Sequence, residues 1–311
     1  MTHGCLAAFA RGPMSSSVAH IVQATLLIRK LRGGSDPVLV AASDGLQYVL
    51  KFGNNLQGPN VLFNESAGTE LYRGCGLAAP AWKPLLVTDS FVDHNPGAWL
   101  ESDQGRLRPA AGLCFGSLFM GGEPDRISEI LSGPSFSRIG NRMSFWRAWL
   151  VDACADHIDN RQAIFKEDAR GALQAFFIDH GHLFGGPDGR HRLPIVASRY
   201  LDPRIYPQIG RHEISSLLKA LLSADTDRIW RRVQALPEEW RSSVALDRVR
   251  QSLDSLADAS RLRALLDAMF FDVESSTGRT TAPGRFGPLP QPAGGYPHFG
   301  RMAPEMRTAA C

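Results

Sequence analysis

Two apolar runs, PVLVAA (residues 37–42) and LQYVLKF (46–52), flank the triplet Ser43-Asp44-Gly45. Runs of this length separated by a Ser-Asp-Gly turn predict a β-hairpin, and Tyr48, Val49, Leu50 and Phe52 suit a buried strand. Upstream, HIVQATLLIRKL predicts a further strand, broken at Gly33-Gly34-Ser35-Asp36-Pro37. After the loop NNLQGPN the pattern changes. NESAGTELYRGCGLAAP reads as a helix, with Gly76 as its C-cap and Pro80 beyond. PLLVTDSFV and PGAWLES read as strands. Residues 101–140 are rich in glycine and proline; they predict connecting structure that holds one short helix, RISEIL.

From Asn141 the apolar spacing is helical, through Phe145, Trp146, Trp149, Leu150 and Ala153. RQAIFK and LQAFFID predict two short strands joined by the polar turn EDARG. Beyond Pro203 helices dominate. Ile214, Leu217, Leu218, Leu221 and Leu222 share one face. Asp225 is placed to cap DTDRIWRRVQAL, and VALDRVRQSLDSL and SRLRALLDAMFF follow. The division expected is a leader over 1–16, a β-rich lobe over 17–100, a mainly helical lobe over 101–274, and a disordered tail over 275–311, where proline, glycine and threonine replace aliphatic residues.

Composition narrows the classes. The chain has 311 residues with 44% hydrophobic content, enough for a sizeable core in one large or two-lobed domain. A formal net charge of +3 is too small to call for nucleic acid. Five cysteines, an odd number with no C-x-x-C pair, argue against a disulfide framework and point to a reducing cytoplasm. The short patch CLAAFA does not make a signal peptide, and no apolar run is long enough to span a membrane.

Several clusters could carry chemistry. Lys51 stands in the apolar strand YVLKF. It is either an edge lysine that reaches water or a cation turned into a cleft to hold an anion such as phosphate, which needs a carboxylate partner. Glu65 is the first choice for that partner and Glu70 the second. Gly33-Gly34-Ser35 could bring backbone N–H groups close to phosphate oxygens, although it lacks the ending of a Walker loop; as a lone signal it is equally a simple turn. Asp156, His157, Asp159, Asn160, Arg161 and Gln162 crowd one loop, either a catalytic loop with a metal-facing amide or a set of Asx turns. Asp179 ends the strand AFFI, where a carboxylate suits a hard cation or opens an Asp-x-Gly turn. A transition metal on His180 and His182, with His157 or His191, is the alternative.

The order of these clusters is the informative feature: glycine turn, strand lysine, helix glutamate, Asp/Asn loop, two strands, Asp-x-Gly. It is the layout of a protein-kinase-like phosphotransferase. LRGGSDPVLVAASDGLQYVLKF, NESAGTELYRGCGLAAP, and DACADHIDNRQAIF followed by FFIDHGHLFGG resemble the HipA-like kinases over roughly residues 19–275. In the second segment, N-E, a leucine six residues on, G-L five further and then proline match the family habit and select Glu65.

The resemblance implies an α+β, two-lobed protein-kinase-like fold. It implies ATP and Mg²⁺ as cofactors, and as acceptor a Ser/Thr hydroxyl on a protein. ATP would lie against Gly33, Gly34, Ser35 and Lys51, with Glu65 holding the lysine. Asp179 would bind metal with Asn160 or Gln162, and Asp159, or in a shifted register Asp156, would serve as the catalytic aspartate. Against the family loop N-x-D-x-H-x-x-N, this chain has His157, Asp159 and Arg161 at the first three positions and Ile164 at the last. A pseudokinase that binds nucleotide or a partner without transfer therefore stays open. The aminoglycoside- and choline-kinase types carry an H-x-D-x-x-x-x-N loop that this sequence lacks.

Overall fold

The computed structural model describes residues 21–121, 126–189 and 198–278. The leader, His191 and the tail beyond Gly278 lie outside the described residues. The architecture is α+β, as expected, with a β-rich N-terminal region and a mainly helical C-terminal part.

Strands β1 (Ala24–Lys30), β2 (Val38–Ala42) and β3 (Gln47–Lys51) form an antiparallel meander. The Ser43-Asp44-Gly45 turn closes its second hairpin, with Gly45 donating to the Ala42 carbonyl. Helix α1 (Val61–Gly74), strand β4 (Trp82–Val87) and helix α2 (Asp89–His94) follow. The small hairpin β5 (Leu100–Ser102) and β6 (Gly105–Leu107) leads to β7 (Gly112–Leu118). Strand β7 inserts between β3 and β4, giving the sheet order β1-β2-β3-β7-β4. This sheet therefore draws on chain beyond residue 100, where the lobe division is expected.

The glycines of 101–140 were the reason to expect only connecting structure, and the fold corrects that reading. Gly116 is a packing residue inside β7, because a Cβ there would come within 2.5 Å of the Leu85 side chain on β4. Two other expectations also change. DSFV is helical, since the Thr88 hydroxyl accepts from Phe91 N–H and Asp89 lies in the first turn. RISEIL begins not as a helix but as β8 (Arg126–Ser128), which gains backbone partners along β9 and sets Arg126 opposite Glu167.

The second half starts from β8 and α3 (Ser144–Cys154), continues through the hairpin β9 (Gln162–Glu167) and β10 (Leu173–Ile178), and ends in α4 (Arg211–Leu222), α5 (Thr226–Gln234), α6 (Ser243–Ala257) and α7 (Ala259–Thr277). Asp225 caps α5 as expected, accepting from Arg228 N–H at 2.8 Å. Helix α7 runs past residue 274 and stops at Gly278 in the left-handed conformation.

Among the described residues two apolar cores hold the structure. One lies under the first sheet, built from Val38, Val40, Tyr48, Leu50, Leu85, Val87 and Phe91. The larger runs from α1 through α3 and the β9–β10 hairpin to α7. Helix α1 belongs to the second core, with 11 of its 14 residues buried. On a helix so enclosed, each buried polar side chain must find a partner. That requirement builds the site. Among the described residues no helix is long and apolar enough to cross a membrane.

Candidate active site

Lys51 is the last residue of β3 and is buried. Its ammonium is bonded to Glu65 of α1 and, at 2.8 Å, to Asp179 Oδ1 just past β10. Three segments far apart in sequence thus meet at one nitrogen. Burial alone pushes the lysine toward losing its proton, but the carboxylates of Asp179 and Glu65 more than reverse this and hold Lys51 above its ordinary value. Burial also disfavours the Asp179 carboxylate. The adjacent ammonium overrides that and holds it well below the usual carboxylate range. Glu65 goes the other way: its deeper burial raises it, Lys51 opposes the rise, and the charge of Asp179 adds to it. Glu70, the second choice of partner, faces away, accepting from Trp82 Nε1 and from Arg232.

Glu65 also accepts from the backbone N–H groups of His180 (3.1 Å) and Gly181 (3.0 Å). Its neighbour Asn64 donates from one amide nitrogen to the carbonyls of Gly181, Leu183 and Gly186 at 2.9–3.1 Å. The pair Asn64-Glu65 therefore grips the loop after β10 from both sides of its backbone. The helix comes this close because position 68 is glycine: a Cβ there would stand 2.5 Å from Leu183 and 2.6 Å from His180. Asn64 carried no signal beyond its place before Glu65, since a helical Asn is usually a solvated residue.

The Asp179 carboxylate keeps about a quarter of its surface open. Its second oxygen, Oδ2, accepts from Gln162 Nε2 at 2.9 Å. Of the two amides considered, Gln162 is the one brought to Asp179. Asn160 is exposed, and its backbone N–H is bonded to its own neighbour, Asp159 Oδ1, at 2.7 Å. Ile164 lies two residues along β9 from Gln162, paired with Phe176. Asp156 has a positive φ of 46°, and its carbonyl accepts from Gly185 N–H. Asp156 and Asp159 are both half-buried in the loop that precedes β9.

The Gly33-Gly34-Ser35 turn joins β1 to β2 and is tied to the same loop indirectly. Asn55 donates to the Ser35 carbonyl and accepts from Gln57 N–H, and the Gln57 amide lies 3.2 Å from His182 Nε2. The histidines frame this arrangement. His180 packs its ring on Tyr72 at 4.4 Å, while burial and the charge of Arg161 keep it well below its usual value. His157 is buried with neither ring nitrogen hydrogen-bonded. Among the described residues no group of three or more His, Cys, Asp or Glu side chains is arranged to hold a metal.

Two residues to which the sequence assigns no role stand behind the site. Arg161 and Asp152 form a fully buried ion pair, with Nε to Oδ2 at 2.9 Å and Nη2 to Oδ1 at 2.7 Å. Tyr72 of α1 donates to the same Asp152 at 2.6 Å. Arg161 stands out in the sequence only as a member of the crowded loop and as a departure at a histidine position, and Asp152 falls within a helix where nothing sets it apart.

No protein-family model matches the chain, and no curated protein matches it. Among solved structures, the chain is similar to the crystal structure of a Helicobacter pylori proinflammatory kinase, CtkA, at 12% identity and a TM-score of 0.45, covering 76% of this chain and 93% of that one. It is also similar to the Golgi casein kinase, at 13% identity and a TM-score of 0.45 over 82% of this chain and 73% of that one. The Golgi casein kinase with Mn/ADP bound gives 12% identity and a TM-score of 0.44 over 83% and 74%.

Proposed function

We propose that this chain is an ATP- and Mg²⁺-dependent phosphotransferase with a two-lobed, protein-kinase-like fold of the HipA-like type, acting on a Ser/Thr hydroxyl of a protein. One observation carries the reading: the buried Lys51 ammonium is shared between Glu65 on a helix and Asp179 at a strand end. A lysine held by a helix glutamate is poised for α/β-phosphates, and an adjacent, partly open carboxylate is poised for the cation that accompanies them. The oxygen donors available, the Asp179 carboxylate and the Gln162 side-chain amide, suit a hard cation that takes its remaining ligands from phosphate and water. When bound, Mg²⁺ would neutralise charge on the phosphates.

In this reading Lys51 orients the phosphates, Glu65 keeps Lys51 in place, and the Gly33-Gly34-Ser35 backbone covers the nucleotide. Asp159 orients the acceptor hydroxyl and takes its proton as the hydroxyl oxygen attacks the γ-phosphorus. The bond from that phosphorus to the bridging oxygen breaks and ADP leaves. Positioning and charge stabilisation are most of what this chemistry asks of a protein. The test is a thermal shift with ATP and Mg²⁺. Wild-type protein should be stabilised and Asp179→Asn should lose the Mg²⁺-dependent part; a shift that survives the substitution intact removes Asp179 from the role.

A second reading, a pseudokinase that holds nucleotide or a partner, is favoured by Ile164, which stands where the family carries a metal-binding asparagine, and by the exposure of Asn160. Autophosphorylation from labelled ATP that disappears in Asp159→Ala supports the transferase. Nucleotide binding without any labelled product supports the pseudokinase.

A further inference from the structure

We infer that Arg161 is the positioning residue of Asp179: clamped from behind by Asp152 and Tyr72, its guanidinium holds the backbone of the Asp179 turn and so aims the carboxylate into the cleft. Three observations converge on this. First, Asp179 has a φ of 59°. A non-glycine residue enters the left-handed region at a cost and stays there only when its surroundings demand it. Second, Arg161 Nη1 donates to the carbonyls on either side of that strained bond pair, Ile178 at 2.9 Å and Asp179 at 3.2 Å. Third, the guanidinium cannot drift, because its other two nitrogens are forked onto Asp152 and its plane lies over the Tyr72 ring at 4.8 Å. The planar fork can serve both groups at once, whereas an ammonium in its place could not satisfy the carboxylate and both carbonyls.

The clamp also joins elements that carry the rest of the site. Tyr72 is on α1 with Glu65, Asp152 is on α3, and Arg161 ends the loop that holds Asp159. Glu65 binds the N–H groups of His180 and Gly181 while Arg161 binds the carbonyls of Ile178 and Asp179. The turn is thus held from its donor side by α1 and from its acceptor side by Arg161. Outer residues that orient a metal-binding carboxylate commonly set metal affinity by about 10- to 100-fold.

The consequence for Mg²⁺ rests on the phosphotransferase reading; the positioning itself does not, so two measurements separate them. In Arg161→Lys, the Mg²⁺ concentration that gives half of the ATP-dependent thermal shift should rise about tenfold or more, while ATP binding in EDTA stays within about twofold of wild type. In the same variant, amide hydrogen exchange at His180 and Gly181 should accelerate about tenfold or more, with the amides of α3 and α6 unchanged. If Arg161→Lys does not fold, the exchange is measured in the double variant Arg161→Met/Asp152→Leu, which removes both buried charges together. Unchanged exchange at His180 and Gly181 in a folded variant overturns the inference. So does an Mg²⁺ dependence that matches wild type. If wild-type protein binds no ATP with Mg²⁺, the phosphotransferase reading falls, and the exchange result alone decides the role of Arg161.

Discussion

The two loops at the ends of the β9–β10 hairpin are built on opposite principles. After β10, residues 179–186 are held by side chains from outside the loop: Lys51 and Gln162 on the Asp179 carboxylate, Arg161 on its carbonyl, Glu65 on two N–H groups, Asn64 on three carbonyls, and Arg248 of α6 on the Phe184 carbonyl. Before β9, Asp156–Arg161 is held at its start by main-chain bonds, from Gly185 N–H to the Asp156 carbonyl and from Ile158 N–H to the His182 carbonyl, and at its end by the Arg161 side chain. Asp159 bonds its own neighbour and Asn160 faces solvent. A metal-binding carboxylate must be fixed before its ligand arrives, because misplacement by a fraction of an ångström loses the ligand. A group that meets an acceptor hydroxyl can be organised with the acceptor. On the proposed phosphotransferase reading, the difference between the loops is that between a preformed half of the site and a half completed by the acceptor.

The comparison is most strongly broken at Lys51. Lys51→Met leaves Glu65 and Asp179 buried side by side without a cation, and should cost about 3–5 kcal/mol in denaturant unfolding together with all nucleotide binding. A loss under about 1 kcal/mol would show the pair to be far more solvated than its burial implies. Next is Asn64→Leu, which strips a donor from three carbonyls. It should cost about 1–3 kcal/mol and make the segment after Gly181 the first point of proteolysis; an unchanged digestion pattern would place the anchoring elsewhere.

On the looser side, Asp159→Ala should change stability by less than about 0.5 kcal/mol and keep the ATP shift while abolishing transfer. Asn160→Ala should leave binding and stability alike untouched, and a loss of Mg²⁺-dependent binding there would reverse the assignment of the amide to Gln162. The smallest effect is in pH. Glu65 is raised above 4.5, so on acidification it takes up a proton and releases Lys51 in a window above that value. A raised carboxylate contributes more to folding as pH falls, and the contribution of Asp179, depressed in the fold, starts to be lost only as pH drops through the ordinary aspartate value of 3.8 and is gone only below its depressed value. Nucleotide binding should therefore weaken through this window while thermal stability does not fall with it. Glu65→Gln should remove that limb of the profile, and a limb that persists in the variant belongs to another group.

Much of the local structure was legible in the sequence because it depends on local rules. The Ser-Asp-Gly hairpin, the helical spacing from Phe145 and the Asp225 cap are satisfied by neighbours in the chain. Lys51, Glu65, Gln162 and Asp179 were legible as candidates because a charged or amide residue beside an apolar run is conspicuous, and the structure brings these four together. Strands β7 and β8 were not legible, since an inserted strand and a short edge strand take their stability from partners distant in sequence.

By itself the sequence determined the β-rich start, the helical end and the lysine with its candidate carboxylates, which follow from periodicity and from the cost of placing charge in apolar segments, while the α+β kinase-like class and the choice of Glu65 came from the family resemblance. Only the tertiary structure decided which groups share one nitrogen, which amide reaches Asp179, and that Asn64, Tyr72, Asp152 and Arg161 stand behind them. Those choices are made by hydrogen-bond geometry in three dimensions, between residues as near as Arg161 and Asp152 and as distant as Asn64 and the Gly181 carbonyl, and no motif spacing along the chain encodes it.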